Sequence, residues 1–287
     1  MKLDGRRFSS NVSDRRGVAG KAIAGVGGIG GMIIIALIVW LAGGDPISVI
    51  NQSTPYATSE QIRGSGVSSE QENEYAEFAS KILAGTEDVW SEQFRKMGLR
   101  YREPKMVLYT GSVTSGCGNA TSQVGPFYCS ADETIYIDLS FFQQMEREMG
   151  AGGDFAYAYV IAHEVGHHVQ HLLGTLEDAH RAQAESNQKL ANQISVRTEL
   201  QADYYAGVWA YHDNKMFNSL EPGDIEEALN AASKIGDDYL QKQAQGYAVP
   251  ETFNHGRTDQ RVRWLEKGLS KGDVRYGDTF TPSYVSL

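Results

Sequence analysis

The spacing of hydrophobic positions changes along the chain, and each spacing predicts a type of element. Apolar residues recur at helical spacing between about residues 70 and 96, with Tyr75 and Phe78 on one face. Two shorter stretches, Lys105–Thr110 and Thr134–Leu139, are rich in β-branched and aromatic residues and are typical of strands. Further helices are predicted at 141–149, 156–173, about 185–211, from Pro222 onwards, and about 258–269. This pattern predicts an α+β domain in which helices are in the majority and the sheet is small.

A long apolar segment precedes this domain. Residues 22–44 contain no charged side chain, and a helix of 23 residues is long enough to span a ~30 Å hydrocarbon core. Positive charge is concentrated before it, on the side that faces the cytoplasm in most membrane proteins. We therefore expect a basic cytoplasmic segment (1–21), one transmembrane helix (22–44), a linker (45–69) and a domain (70–287) outside the cytoplasm. A cleaved signal peptide is the competing interpretation, which the long polar N-terminal region disfavours.

Composition limits the classes of function. The formal net charge is −10, and residues 1–21 carry six basic and two acidic side chains, so the remainder carries −14. Such an acidic domain has no general electrostatic reason to bind nucleic acid. The chain also contains no phosphate-binding loop and no dinucleotide-binding fingerprint. Nucleic acid is therefore not an expected partner.

One short segment has the spacing of a metal site. His163 and His167 stand four positions apart, so a helix places both imidazoles on one face, where they can bind one Zn²⁺ ion. Glu164 lies beside the predicted metal and is placed to act as a general base towards a water molecule. Apolar residues flank the motif at roughly helical spacing, and Gly174 is expected just past the end of the helix.

A catalytic zinc site needs a third protein ligand. The metzincin pattern would place it at Leu173, which cannot bind a metal, so that pattern is excluded. His168 points away from the ligand face and His171 lies too far along the helix, so both are expected to be packing or surface residues. Glu199, in a later predicted helix, completes a His₂Glu set. Asp203, one turn further, would accept the remaining ring N–H of one ligand histidine.

Cys117 and Cys129 are the only cysteines. In a domain exported by its own anchor, such a pair predicts one disulfide that closes a short, turn-rich loop. Two unrelated buried thiols are the alternative. Zinc binding by the pair is not expected, because the His₂Glu set is already complete.

A histidine near the C-terminus is the remaining candidate for chemistry. His255 lies in a turn beside Gly256, just before the last predicted helix. In zinc peptidases a His or Tyr opposite the metal donates to the developing oxyanion, and a structural role in the turn is equally compatible with this position. Arg261, on the following helix, is expected to pair with a buried acid. Tyr204 and Tyr205 are expected in the core.

Together these motifs resemble a known family. The segment His163–His167 followed by Glu199–Asp203 is similar to the gluzincin pattern of thermolysin-like peptidases. Together with other segments, these motifs resemble the bacterial family of "putative neutral zinc metallopeptidases". The resemblance covers nearly the whole chain except the linker and the last dozen residues. The other segments are Arg6-Arg7, Asn11–Gly17, Cys117–Cys129 with Tyr136–Asp138, Ile235–Asp238 and His255–Trp264. The resemblance implies a zincin-like domain anchored in the bacterial cytoplasmic membrane and makes His255 a site residue, but it implies no particular substrate.

The sequence therefore predicts a membrane-anchored zinc peptidase that hydrolyses a peptide or protein substrate. Glu164 would take a proton from water and return it to the leaving amine. The strand Thr134–Leu139 is a candidate for antiparallel pairing with an extended substrate. Two other classes stay open: a zinc-binding chaperone or adaptor of the cell envelope without proteolytic activity, and a non-hydrolytic metal-binding surface protein. The intact Glu164 disfavours the first, and the Glu199–Asp203 pair disfavours the second.

Overall fold

Helices make up most of the part of the chain that the structure describes. This computed structural model describes residues 1–17 and 69–287. Its helices are α1 (Ser69–Lys96), α2 (Ser140–Arg147), α3 (Asp154–Leu172), α4 (Thr175–Ala184), α5 (Gln188–Phe217), α6 (Asp224–Lys234), α7 (Asp237–Gln245) and α8 (Thr258–Lys271). Its strands are β1 (Val12–Asp14), β2 (Lys105–Tyr109), β3 (Ser112–Ser115), β4 (Gly118–Thr121), β5 (Phe127–Cys129) and β6 (Thr134–Asp138). The predicted α+β composition with a small sheet is confirmed.

Four of the strands form one mixed sheet in the order β1-β2-β6-β5. Strands β1, β2 and β6 run parallel, with Leu108 opposite Ile137, whereas β5 runs antiparallel to β6, with Tyr128 opposite Ile135. The prediction that the strand Thr134–Leu139 receives an extended substrate is therefore wrong, because β6 already has a neighbour on each side. Among the described strands, β5 is the one that lies at this edge of the sheet.

The second pair of strands, β3 and β4, forms an antiparallel hairpin of its own. A disulfide between Cys117, in the turn of this hairpin, and Cys129, at the end of β5, joins the hairpin to the main sheet. The predicted disulfide is thus present in the structure. It fixes the end of the edge strand to a short hairpin that packs over Val107 and Tyr136 of the sheet.

The helix pair α3 and α5 crosses at very short range. Gly166 of α3 lies over Ala202 of α5, and a Cβ atom on Gly166 would come within 2.9 Å of the Ala202 carbonyl oxygen. Since glycine has no Cβ, the two backbones can approach until the polar face of α3 meets the acidic face of α5. Helix α3 ends at Leu172 and is followed by Gly174 with φ of +80°, as predicted for a glycine past a helix C-terminus.

A second close crossing brings α8 onto α5. Gly268 of α8 lies against Tyr204 and Gly207 of α5, and a Cβ atom on Gly268 would clash with the Tyr204 carbonyl oxygen. This contact places the first turns of α8, and with them Arg261, beside the same face of α5 that carries Asp203. Two glycine contacts thus bring three helices together at one place.

The first seventeen residues are packed on the domain. Strand β1 extends the sheet by pairing with β2, with Val12 opposite Met106. The Arg6 guanidinium lies 2.6 Å from the buried carboxylate of Asp213 on α5. The Ser9 hydroxyl donates to Glu87 on α1, at 2.5 Å. The described N-terminal residues therefore belong to the same folded unit as residues 69–287.

The predicted transmembrane helix (22–44) and nearly all of the predicted linker (45–69) lie outside the described residues. Within residues 1–17 and 69–287, no helix combines the length and the apolar character that a membrane crossing requires.

Candidate metal centre and active site

Three potential metal ligands meet between α3 and α5. His163 and His167 lie one turn apart on α3, and Glu199 faces them from α5. The His163 Nε2 atom is 3.1 Å from Glu199 Oε2, and the His167 Nε2 atom is 3.5 Å from Glu199 Oε1. All three ligand atoms lie within 4.8 Å of one another. The structure thus brings together the three residues that the sequence predicts as ligands.

The spacing of these atoms fits zinc. Zinc binds imidazole nitrogen and carboxylate oxygen at about 2.0–2.2 Å, so two ligand atoms of a tetrahedral site lie roughly 3.3–3.6 Å apart. Of the two distances from Glu199 to the imidazoles, 3.5 Å lies within that range and 3.1 Å lies just below it, so the three side chains are close enough to share one ion. Two imidazoles and one carboxylate are also a usual ligand set of catalytic zinc sites, in which the protein leaves the fourth position to water or substrate.

Each ligand imidazole is oriented through its other nitrogen. The Nδ1–H of His163 donates to Asp203 Oδ1 at 2.9 Å, and the Nδ1–H of His167 donates to Gln170 Oε1 at 2.9 Å. Gln170 is held in turn, since its amide donates to the Thr198 carbonyl at 2.8 Å. Both histidines therefore present Nε2, with its lone pair, to the metal position. The sequence predicts the role of Asp203 but gives none to Gln170.

A buried arginine and a tyrosine complete the support of His163. Arg261 on α8 donates from Nε and a terminal nitrogen to both oxygens of Asp203, at 2.8 and 2.9 Å. The Tyr159 hydroxyl on α3 donates to the same carboxylate at 2.6 Å. Burial opposes ionisation of Asp203, but Arg261 and His163 outweigh it and lower the pKa of Asp203 to about 2. Asp203 therefore stays a carboxylate at neutral pH, and the expected pairing of Arg261 with a buried acid is confirmed.

The ligand group has a strong affinity for positive charge. Burial disfavours the imidazolium form of His163, but Asp203 and Glu199 more than compensate and raise the pKa of His163 to about 10. Burial likewise opposes ionisation of Glu199, yet the neighbouring His167 and His163 hold its pKa well below the ordinary value. A proton occupies this carboxylate-rich position when no other cation does, and a divalent metal would displace it.

Glu164 lies between the two histidines in sequence and lines the same cavity as they do. Its carboxyl is buried, and burial together with the charge of Glu199 raises its pKa, against the opposing effect of His167 and His163. A carboxylate with a raised pKa is a better proton acceptor than an ordinary glutamate. Both its position and its basicity therefore suit a general base.

His255 reaches the cavity from the turn before α8. Its Nδ1–H donates to Asp237 Oδ1 at 2.9 Å, which leaves Nε2 for the cavity that the side chain lines. Asp237 also accepts backbone N–H groups of Asn254, His255 and Gly256 at 2.7–2.9 Å, which fixes the whole turn. Burial lowers the pKa of His255, but Asp237 and Glu199 outweigh it, and the net shift is upward. The imidazolium can therefore persist at a higher pH than that of an ordinary histidine.

The candidate ligands open onto one large cavity of about 1010 Å³. Edge strand β5 and the segment before it form one wall, including Pro126 and Tyr128, while α4 and α5 contribute His180 and Asn192. Apolar side chains from α2, α3, α7 and their flanking segments form much of the remaining surface: Phe141, Met149, Val160, Ile235, Tyr239 and Leu240. A cavity of this size accepts several residues of an extended peptide.

Sequence reasoning missed Asp237, Gln170 and Tyr159. Asp237 lies in the conspicuous segment Ile235–Asp238, but its role depends on a turn seventeen or more residues further on. Gln170 stands three positions after His167, which is the i to i+3 spacing of neighbours on a helix, so spacing could have identified it. Tyr159 stands four positions before His163, on the same face.

Comparisons with known proteins agree with this geometry. The family model described as "putative neutral zinc metallopeptidase" matches residues 1–280. The chain belongs to this family. An uncharacterized protein of Escherichia coli K12, YpfJ, is 47% identical over 289 residues, which cover 99% of this chain and 100% of that protein. The uncharacterized protein Rv2575 of Mycobacterium tuberculosis is 47% identical over 191 residues, which cover 63% of this chain and 64% of that protein. No solved structure matches the chain.

Proposed function

We propose that this protein is a zinc-dependent peptidase that hydrolyses peptide bonds of an extended substrate. The observation that carries the proposal is the arrangement around one cavity: the His163, His167 and Glu199 ligand atoms within 4.8 Å, with Glu164 and His255 lining the same space. Zinc fits this ligand set, and when bound it would supply a Lewis acid that polarises a carbonyl group and acidifies water.

The side chains of the protein divide the remaining tasks. Glu164 accepts a proton from the attacking water and returns it to the leaving amine. His255, oriented by Asp237, directs Nε2 into the cavity, where a protonated ring can donate to the oxyanion that develops on the scissile carbonyl. Strand β5, rather than β6, is the strand with an edge position beside the cavity, so an extended peptide is expected to pair with β5.

A zinc-binding chaperone or adaptor without activity is the alternative. Such a protein would need the ligands for stability but would have no need for a proton acceptor in the cavity. Glu164 is buried and has a raised pKa, and its carboxyl group makes no hydrogen bond within residues 1–17 and 69–287 that would stabilise the fold. Burying a carboxyl group without hydrogen-bond partners costs free energy, and such costly groups with shifted pKa values cluster at functional sites, so the presence of Glu164 favours catalysis.

Glu164→Gln tests the proposal in the full-length protein. The substitution keeps the shape of the side chain and all three ligands, so zinc content should stay unchanged while peptide hydrolysis falls by about two orders of magnitude or more. Glu226→Gln, on the exposed side of α6, is the matched control and should keep full activity. Cleavage of a peptide library, followed by mass spectrometry, reads the result. Equal activity of wild type and Glu164→Gln would refute the mechanism.

A further inference from the structure

His168, directly after the candidate ligand His167, makes two hydrogen bonds that the proposed chemistry does not use. Its side chain is fully buried, and its Nε2 lies 2.6 Å from the Arg102 carbonyl oxygen. A carbonyl can only accept, so Nε2 carries the hydrogen. In the neutral imidazole the Nδ1 atom then accepts, and the Tyr128 hydroxyl donates to it at 2.8 Å. The direction of both bonds is therefore fixed.

This pair of bonds connects two parts of the candidate active site. Tyr128 is the middle residue of β5, the edge strand that borders the cavity, while His168 belongs to the helix that carries two candidate ligands. The Arg102 side chain adds a second connection, because it pairs with Glu133 in the turn between β5 and β6 at 2.8 Å. The Tyr101 ring also packs edge-on against the His168 ring.

We propose that His168 is a positioning residue that holds edge strand β5, through Tyr128, at the distance from the metal ligands that an extended substrate requires. The proposal rests on the proposed peptidase function. A substrate paired with β5 takes its position from that strand, so a small displacement of β5 moves the scissile carbonyl relative to Glu164. A displaced β5 also pairs less well with a long peptide and binds it more weakly, so the effect is expected in KM.

Tyr128→Phe tests this in the full-length protein, because it removes one oxygen and leaves the ring. Loss of one hydrogen bond should raise KM for a long peptide about three- to tenfold, with unchanged zinc content. A dipeptide substrate too short to pair along β5 should keep its KM. Tyr204→Phe is the matched control, since its hydroxyl also donates to one acceptor, the Asp273 carbonyl at 2.6 Å, but does not line the cavity.

A second variant separates positioning from folding. His168→Gln keeps a donor and an acceptor, so its KM should rise less than that of His168→Ala. A purely steric role would leave the KM values of the two variants equally raised. If wild type cleaves long peptides and Tyr128→Phe does so with the same KM, the positioning role is refuted and the peptidase function stands. If wild type itself cleaves no peptide, both proposals fall.

The N-terminal residues support a separate inference about compartment. Strand β1 pairs with β2 over three residues, Arg6 pairs with buried Asp213, and Asn11 donates to Glu87 at 2.8 Å. The Lys2 N–H donates to the Ser219 carbonyl at 2.8 Å. These contacts lie on different elements of the domain, so they form only if both parts of the chain fold in the same solvent.

We infer that residues 1–17 and residues 69–287 lie on the same side of any membrane to which the protein is attached. A single crossing between residues 17 and 69 would put β1 and β2 on opposite sides and break every contact between them. The predicted topology, with a cytoplasmic N-terminus and an exported domain, therefore conflicts with the fold. Removal of residues 1–21 as a signal peptide would also remove β1 from the sheet.

Cysteine labelling in cells tests this inference. Ser10→Cys and Ser270→Cys each place one free thiol at an exposed position of the N-terminal segment and of α8, while the native cysteines are paired. A membrane-impermeant maleimide applied to spheroplasts should label both or neither, and both should react after lysis. Labelling of one position and protection of the other in intact spheroplasts would overturn the inference.

Discussion

Arg261→Met removes a buried charge from the support of the candidate metal site and should strongly destabilise the metal-free protein. Arg261 is 2% exposed, and it pairs through two nitrogens with Asp203, which is 0% exposed. Methionine keeps much of the apolar stem but leaves the carboxylate, among residues 1–17 and 69–287, with only the Tyr159 hydroxyl and the His163 ring as donors. Breaking a buried pair by removing one partner typically costs about 3–5 kcal/mol, because the other charge remains buried.

The pH dependence of this cost has a definite sign. Asp203 has a folded-state pKa of about 2, below the ordinary aspartate value of 3.8, so its ionisation stabilises the folded state above about pH 4. That stabilisation is lost as pH falls from about 4 to about 2. Without Arg261 the pKa of Asp203 should rise, so the difference in stability between wild type and Arg261→Met should be large at neutral pH and shrink in acid.

Urea unfolding of the zinc-free full-length proteins measures the difference directly. Arg275→Met is the control: Arg275 also pairs with its aspartate, Asp273, through two nitrogens, but its side chain is 83% exposed and its loss should change little. Adding Asp203→Asn to Arg261→Met should cost less than the two single changes added together, since the unpaired charge is gone. A loss of under about 1 kcal/mol in Arg261→Met at pH 7 would refute the reasoning.

Other contacts lead to shorter predictions. Gly268→Ala should destabilise the protein by about 1–3 kcal/mol, as measured by thermal melts, because the added methyl group would meet the Tyr204 carbonyl. At an exposed helix position the same substitution would stabilise the helix. Zinc affinity should rise about tenfold per pH unit between about pH 7 and 9, because zinc must displace the proton from His163, whose pKa is about 10; a pH-independent competition titration would contradict this. Cys117→Ser should lower the unfolding free energy by about 3 kcal/mol relative to oxidised wild type. If the variant is less stable than reduced wild type by the same amount, loss of the disulfide is not the cause. Asp237→Asn should reduce kcat/KM about tenfold or more, with zinc content unchanged. Because Asp237 raises the pKa of His255, its loss should also move the alkaline limb of the pH profile to lower pH.

The parts of the fold and site that sequence can predict depend on local spacing. His163 and His167 are four residues apart, and so are Glu199 and Asp203, so spacing alone places each pair on one helix face. Helix boundaries follow from spacing only approximately: the helix predicted from about 185 to 211 runs from Gln188 to Phe217. Asn187 caps its start and Asn218, with φ of +51°, ends it.

The parts that sequence cannot predict depend on contacts between distant segments. Strand β1 is three residues long, too short for a pattern, and exists because β2 offers it a free edge. The edge position of β5 follows from the sheet order, which the spacing of Thr134–Leu139 does not reveal. Helical spacing predicts no more than a packing or surface role for His168. Its partners, Tyr128 and the Arg102 carbonyl, come from distant segments whose positions no pattern in a single sequence supplies.

The balance of buried charge explains why this site should select a divalent cation. Glu164, Glu199 and Asp203 are three buried or nearly buried acids, while Arg261 supplies one fixed positive charge, so the group has a net charge of about −2 when both imidazoles are neutral. In the absence of metal, the proton held by His163 offsets only half of that charge. A Zn²⁺ ion offsets all of it, and the binding free energy then contributes to the stability of the fold. The orienting contacts of Asp203 and Arg261 already hold the charges in place, so the candidate site would not have to reorganise in order to bind a metal.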